Sequence, residues 1–413
     1  MTKFLKAMFA TFFVAIIIFG VLASILYIGE HRNPPPAAVF AYYQEDIEDT
    51  HVEDEDTPVL NIPDDLPPPT ILLPSPTPPI DEVEETDEIY IPYEPAEYIP
   101  EEPQTCPYTV TILLSAGGDA TLGGDRRWGG YHAFMREFDD SGGNHSIFLE
   151  NVAHIFYESD LSIVNLEGVL SDILYPHMEK EFIFRGPPHF ANILAAGNID
   201  AVTIANNHTQ DFFRRGYDDT RAALTYAGIE YFGNEFNRII EVNGIKVGLF
   251  GRRIWNDSRY NQNMIRNSIQ YLRNNGAQLI IAYYHWGVER ENIPEQYQIN
   301  IGRFTIAQGA DLVLGAHPHV IQSIEEYRGR YIVYSLANFS FGGNANPRDQ
   351  DSIIFQQTFT FYRGALQPNN DINIIPIFSS SVRNRNDFRP TPAHGEEAER
   401  ILSRIERYSA ALR

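Results

Sequence analysis

Asp311-Leu312-Val313-Leu314-Gly315-Ala316-His317-Pro318-His319 is an apolar run of strand length that ends in two histidines one residue apart. Held by the intervening proline, the two imidazoles can face a common centre from an extended backbone, and such a pair suits Zn, Fe, Mn or Ni. Four other apolar runs end in the same kind of residue. Thr111-Ile112-Leu113-Leu114-Ser115 precedes Asp119, and Leu161-Ser162-Ile163-Val164 precedes Asn165-Leu166-Glu167. Asp200-Ala201-Val202-Thr203-Ile204-Ala205 precedes Asn206-Asn207-His208, and Leu279-Ile280-Ile281-Ala282-Tyr283-Tyr284 precedes His285. Ligands of an open α/β sheet sit beyond the carboxyl ends of its strands, so strands finishing in Asp, Glu, Asn and His bring these side chains to one edge. That set makes a metal centre.

Around these runs the pattern alternates. Strand-like segments at 109–118, 161–166, 199–205, 245–250, 277–284, 311–315 and 330–335 are separated by helical patterns at 146–158, 189–196, 213–227, 260–275, 297–308 and 395–411. Strands separated by helices indicate βαβ units and a largely parallel α/β core. Residues 319–362 break the alternation, because 320–326, 330–335 and 352–362 follow one another without a helix; they are expected to form antiparallel strands packed at one side. There is no internal repeat.

The first 108 residues read differently. Lys3 and Lys6 precede an apolar stretch of 22 residues, Ala7 to Ile28. As a helix it is about 33 Å long, enough for a bilayer core of about 30 Å. Charges before and after it place the N-terminus in the cytoplasm and the body outside, as a single-pass anchor of the cell membrane. A cleavable signal peptide is the rival reading, since Val21-Leu22-Ala23 resembles a cleavage site, but the apolar region is long for one. From Asn33 to Tyr108 the chain holds 17 of its 27 prolines, 20 of its 55 acidic residues and no Lys or Arg. Such a segment is a disordered linker, able to extend on the order of 200 Å at about 3.1 Å per residue. It carries −20 of the formal −24, so the body, 109–413, is only mildly acidic. No clustered basic charge points to nucleic acid as a partner. Cys106 is the one cysteine, which excludes an intrachain disulfide.

Each motif also has an ordinary reading. Gly117-Gly118-Asp119 alone is a turn, Asn165-Leu166-Glu167-Gly168 a solvated strand end, and His208 a loop histidine bonded to a neighbour. The functional readings are specific: a carboxylate such as Glu167 has two oxygens with which to bridge two cations. In Asn206-Asn207-His208 an amide oxygen stands next to an imidazole that can protonate a leaving group, with Asp211 placed to orient it. His285 gains weight from its place at a strand end. His31, His51, His132, His145, His154, His177, His189 and His394 sit in no such context.

The ordered set Gly118-Asp119, Asn165-Leu166-Glu167, Ala205-Asn206-Asn207-His208, His285-Trp286-Gly287, Gly315-Ala316-His317-Pro318-His319 and Tyr334-Ser335-Leu336-Ala337-Asn338-Phe339 resembles the CapA family of poly-γ-glutamate capsule biosynthesis proteins. The resemblance covers roughly 109–345, with Phe184-Arg185-Gly186-Pro187-Pro188, Gln298 and Gly309-Ala310-Asp311 belonging to it. It implies the calcineurin-like metallophosphatase superfamily, a four-layer α/β/β/α sandwich and two divalent metal ions (Mn, Zn or Fe). It further implies that Asp119 and His319 hold the first metal, Glu167 bridges, Asn207, His285 and His317 hold the second, and His208 is the acid. Three departures stand out. The superfamily's AspXaaHis is Asp119-Ala120-Thr121, which implies a weakly held or absent first metal. The usual AspTyrGly is Asp211-Phe212-Phe213, and the glycine of TyrSerLeuGlyAsnPhe is Ala337.

The expected function is therefore that of a membrane-anchored extracellular protein of capsule or exopolymer biosynthesis with a dinuclear-metal hydrolase site. Its substrate would be an anionic polymer or phosphoester, held by Arg185, Arg252 and Arg253, and its partners synthase or export subunits. Two alternatives stay open at this stage: a non-hydrolytic polymer-binding or export component, and a general extracellular phosphoesterase.

Overall fold

The computed structural model describes residues 109–176, 180–368 and 371–412. The expected anchor helix, the acidic linker and Cys106 lie outside the described residues. Among those described, no helix is long and apolar enough to cross a membrane.

The strands, in chain order, begin with β1 (Thr109–Thr121), β2 (Leu161–Leu166), β3 (Val169–Leu170), β4 (Arg185–Gly186), β5 (Ala201–Thr203), β6 (Glu230–Phe232), β7 (Arg238–Val242), β8 (Ile245–Ile254) and β9 (Leu279–Trp286). They continue with β10 (Leu312–Ala316), β11 (Ile324–Tyr327), β12 (Arg330–Val333), β13 (Asn338–Phe341), β14 (Asp351–Tyr362), β15 (Ala365–Leu366), β16 (Asp371–Phe378) and β17 (Thr391–Pro392). One sheet has nine strands, ordered β17-β16-β14-β1-β2-β5-β6, with β13 beside β1 and β15 beside β14. A second has six, ordered β11-β12-β10-β9-β8-β7, and β3 and β4 pair as a separate two-stranded sheet. The centre of each is parallel: β1, β2, β5 and β6 in the first, β8, β9, β10 and β12 in the second. Parallel strands are covered on both faces, and β2 and β9 are buried at every residue.

The covering layers follow from which side chains point where. Ile112 and Leu114 of β1 and Ile163 of β2 pack against Val247, Leu249, Ile281, Tyr283 and Leu314, forming a core between the two sheets. On the other face of the nine-stranded sheet, Val164, Leu166 and Val202 meet Phe134, Phe190, Leu194, Tyr217 and Leu224 from the helices Gly129–Asp140, Ala191–Ala196 and Phe213–Tyr226 and the turn before the second. Helices Arg259–Asn274 and Gln296–Ala307 cover the outer face of the six-stranded sheet through Ile265, Ile269, Leu272, Ile301 and Ile306. The fold is thus a mixed α/β arrangement of two facing sheets between helices. The C-terminal helix Glu396–Ala410 inserts Ile401 and Ile405 into the core between the sheets, beside β11 and β16.

Several elements differ from the sequence reading. β1 runs on to Thr121, with a register shift against β2 between Ala116 and Asp119. Gly118 allows this bulge, since a Cβ there would lie 1.8 Å from the Ala337 carbonyl oxygen. Helix Gly129–Asp140 was not expected, and the helical pattern at 146–158 divides into a 3-10 turn at His145–Phe148 and a short helix at Ala153–Tyr157. The segments of 319–362 do not form one antiparallel group. β11 and β12 make a hairpin whose second strand pairs in parallel with β10, while β14 lies in the other sheet, antiparallel to β1 and β16.

Candidate metal centre

Strand register brings the motifs together. Asp119 of β1 is paired with Asn165 of β2 on one side and Asn338 of β13 on the other. In the second sheet Ala316 is paired with His285, so the loop starting at His317 leaves β10 beside the end of β9. The ends of β1, β2, β9 and β10 thereby meet at one edge, across the gap between the sheets.

Two donor groups share one carboxylate there. Asp119, Glu167 and His319 have ligand atoms within 4.8 Å of one another, and so do Glu167, His285 and His317. A third group joins Glu289 with His317 and His319. Asn207 belongs with the second set, its Oδ1 lying 2.7 Å from His285 Nε2. His319 Nδ1 is 3.1 Å from Asp119 Oδ2 and 3.9 Å from Glu167 Oε2, while His285 Nε2 is 3.6 Å from Glu167 Oε1. Two further amides escaped the sequence reading as supports. Asn165 Nδ2 donates to Asp119 Oδ1 at 2.8 Å, and Asn338 Oδ1 lies 3.0 Å from His319 Nδ1. Sequence alone does not show what either amide touches.

The His317-Pro318-His319 backbone is not extended as expected. His317 has φ 96° and His319 φ 58°, a left-handed conformation that non-glycine residues rarely adopt. Strain of this kind persists where the surroundings fix it. Here the peptide N–H of His317 is held by Asp119 and the His319 ring packs against Phe341 at 4.7 Å.

Glu167 tests whether a cation fits. Its side chain is fully buried and neither carboxylate oxygen accepts a hydrogen bond among the described residues. Buried polar groups are nearly always satisfied, and an unmatched buried carboxylate is costly. His317 Nδ1 is also buried without a partner. Oxygen and imidazole donors converging in this way fit divalent ions. Electrostatics agree. Burial and the nearby Asp119 charge hold the Glu167 carboxyl well above its ordinary range. Burial, reinforced by the neighbouring histidines, lowers His285 and brings His317 down to about 3. His319 is the exception: against the effect of burial, Glu167 and Asp119 push it up to about 10. The two carboxylates thus favour a positive charge on His319, and burial disfavours one on His285 and His317.

His208 stands next to the centre, its Nε2 3.9 Å from Glu167 Oε1. Its Nδ1 is 2.6 Å from Asp211 Oδ2, so the carboxylate fixes the imidazole with Nε2 facing the centre. Phe184 stacks on the ring at 4.0 Å, and burial keeps its pKa below the ordinary value despite Asp211. Lys180, unnoticed in the sequence, bonds both Asp211 Oδ1 and the Asn207 carbonyl. A cleft of about 580 Å³ adjoins this group, lined by Lys180, Asn207, Glu235, Arg252, Arg253 and Tyr260 among others.

The three arginines separate. Arg253 is exposed in the cleft. Arg252 also lines it but donates to Gly251 O and Ser268 Oγ, both at 3.0 Å. Arg185 departs from its expected substrate role: its Nη1 donates to Ser171 O and Ile173 O, and the guanidinium lies over Phe212, so it braces a loop. The three departures from the family pattern are also placed. The Thr121 hydroxyl is buried without a partner. Ala337 and Phe213 have φ 63° and 56°, so both adopt the left-handed backbone that suits the glycines they replace.

The family model described as bacterial capsule synthesis protein PGA_cap matches residues 113–343, a span that contains all five strand-end motifs. The chain belongs to this family. Similar proteins include the PGA biosynthesis protein CapA of Bacillus subtilis, 27% identical over 281 residues, covering 62% of this chain and 70% of that protein. The capsule biosynthesis protein CapA of Bacillus anthracis is 29% identical over 204 residues, covering 44% of this chain and 49% of that protein. A probable polyglutamine synthesis accessory protein of Mycobacterium tuberculosis is 24% identical over 241 residues, covering 50% and 62%. The chain thus spans about half the length of the second relative and more of the first.

Proposed function

We propose that this chain is a membrane-anchored accessory protein of poly-γ-glutamate or related capsule biosynthesis, working outside the cell with a dinuclear metal hydrolase site in a metallophosphatase-like four-layer fold. The observation that carries the hydrolase reading is Glu167, buried, unsatisfied and common to two donor sets. The names of the similar proteins support the biological setting.

Asp119, Glu167 and His319 would hold one ion, and Glu167, Asn207, His285 and His317 the other. When bound, two such ions activate water and stabilise charge developing on a phosphoryl or related anionic group. The chain's own residues supply the rest. Asp211 keeps the His208 proton on Nδ1 in the resting tautomer and leaves Nε2 facing the reacting group. Once protonated there, His208 gives that proton to the leaving oxygen, a role for which its place beside the cleft is suited. Lys180 holds Asp211 and the Asn207 backbone in register. Arg253 and Lys180 face an anionic chain lying in the cleft.

A second reading, a polymer-holding component without turnover, is favoured by Thr121, which leaves the first set one imidazole short. The test is hydrolysis by the full-length protein in detergent, reconstituted with Mn²⁺ or Zn²⁺, on a phosphodiester and on γ-linked glutamyl oligomers. Turnover of either that is lost in Glu167→Gln supports the hydrolase. Oligomer binding with no turnover on either substrate transfers the assignment to the holding role. Protease accessibility of the body in intact cells tests its placement outside.

A further inference from the structure

We propose that Glu289 is a ligand of the metal centre on its solvent side, supplying the donor missing at Thr121; the inference rests on the metal-centre reading above. A carboxylate oxygen of Glu289 and ring nitrogens of His317 and His319 lie within 4.8 Å of one another. His319 belongs to one donor set and His317 to the other, so Glu289 approaches the junction of the two. The remaining donors reach that junction from the buried side: Glu167 and Asp119 are fully buried and His285 nearly so. Glu289 alone among these residues is exposed.

An exposed acid is ordinarily a solvated surface group, but the loop carrying Glu289 is built. Gly287 turns the chain with φ 92°, and a Cβ there would meet the Gln298 amide at 2.8 Å. The loop is then tied to the histidine loop at three points. Arg290 N donates to Pro318 O at 2.8 Å, Gln322 Nε2 to Glu291 O at 2.8 Å, and Asn292 Nδ2 to Ile321 O at 3.0 Å. These bonds, at the three residues that follow Glu289, fix where its side chain starts. Its carboxylate makes no hydrogen bond or ion pair with the described residues, so none of them competes for it. His317 Nδ1, in the same group, is buried and unpartnered.

The chemistry explains why such a residue is needed. With threonine at 121, the first set offers only Asp119, Glu167 and His319. Asp119 is further committed, accepting from Asn165 Nδ2 and from the His317 peptide N–H. A third carboxylate restores both donor number and negative charge opposite two divalent ions. Lying toward solvent, it is also the ligand that an incoming anionic group would displace.

The test is Mn²⁺ binding to the full-length protein, followed by electron paramagnetic resonance of free Mn²⁺, with Glu289→Gln, Glu289→Asp, Glu291→Gln and Glu167→Gln. Glu289→Gln weakens one Mn²⁺ site by about tenfold or more, the scale of supporting residues at metal sites. Glu289→Asp falls between it and wild type, and Glu291→Gln, two residues along the same loop, binds as wild type. Wild-type binding in Glu289→Gln, together with loss in Glu167→Gln, overturns the role of Glu289 while the centre stands. Absence of Mn²⁺ binding to the wild type overturns both.

Discussion

The peptide N–H of His317 donates to the carboxylate of Asp119 at 3.2 Å, joining the end of β10 in one sheet to β1 in the other across 198 residues of sequence. The same carboxylate accepts from Asn165 and lies beside His319. Asp119 therefore organises the protein as well as offering a ligand.

Removing it has a structural consequence before any metal is added. Asp119→Ala leaves the His319 cation facing only Glu167 and the exposed Glu289, and strips the acceptor from two buried N–H donors. Breaking a buried charged pair by deleting one partner costs about 3 kcal/mol or more. Urea unfolding of the metal-free protein measures this, and a loss within about 0.5 kcal/mol would show that Asp119 is dispensable to the fold.

Backbone conformation gives a pair of opposed expectations. Phe213 is half exposed in a left-handed conformation, so Phe213→Gly removes strain at little cost in packing and stabilises by about 0.5–1 kcal/mol. Gly118→Ala drives a methyl into the Ala337 carbonyl and destabilises by about 3 kcal/mol or more. Thermal melting of both variants checks the signs.

Asp351 sets part of the acid stability. Burial raises its pKa, but the hydrogen bonds from Arg400 and Arg404 on the C-terminal helix outweigh this and hold it below 3.8. A carboxyl depressed in the folded state contributes stability above its unfolded pKa, and the contribution disappears as pH falls through the folded value. Asp351→Asn should cost about 2 kcal/mol at pH 7. The gap to wild type should close progressively below about pH 4. Parallel acid limbs in the two proteins would assign the stability of this helix elsewhere.

For His208 the expectation is kinetic. His208→Ala lowers turnover by about 10²–10³ while metal content stays at the wild-type level, since general acid catalysis contributes on that scale. Asp211→Asn has a smaller effect in the same direction because it frees the wrong tautomer. Unchanged turnover in His208→Ala would remove the acid assignment.

Most of the centre was legible because its chemistry lies at strand ends, where an apolar run followed by Asp, Asn or His is visible without knowing the partners. Asp119, Glu167, Asn207, His285, His317 and His319 could be named that way. Glu289 could not, because it follows a strand end by three residues and is brought back only by the turn at Gly287. Lys180 was equally hidden, its contact with Asp211 depending on a loop that carries no periodic signal. For Arg185 the sequence shows a guanidinium but not the carbonyls of Ser171 and Ile173 to which it donates. Among the elements, helix Gly129–Asp140 was missed because its glycine-rich start hides the apolar stripe. β14 reads in sequence as a neighbour of β11 and β12, but antiparallel strands that follow one another in sequence need not share a sheet.

Metal content per chain is the most direct measurement. Full-length protein reconstituted with Mn²⁺ and freed of excess should hold two ions per chain by elemental analysis. Glu167→Gln and His317→Ala should each hold one or none, with the metal-free fold retained. A wild type that binds no stoichiometric metal, or a Glu167→Gln variant that still holds two ions, would contradict the shared carboxylate on which the account depends.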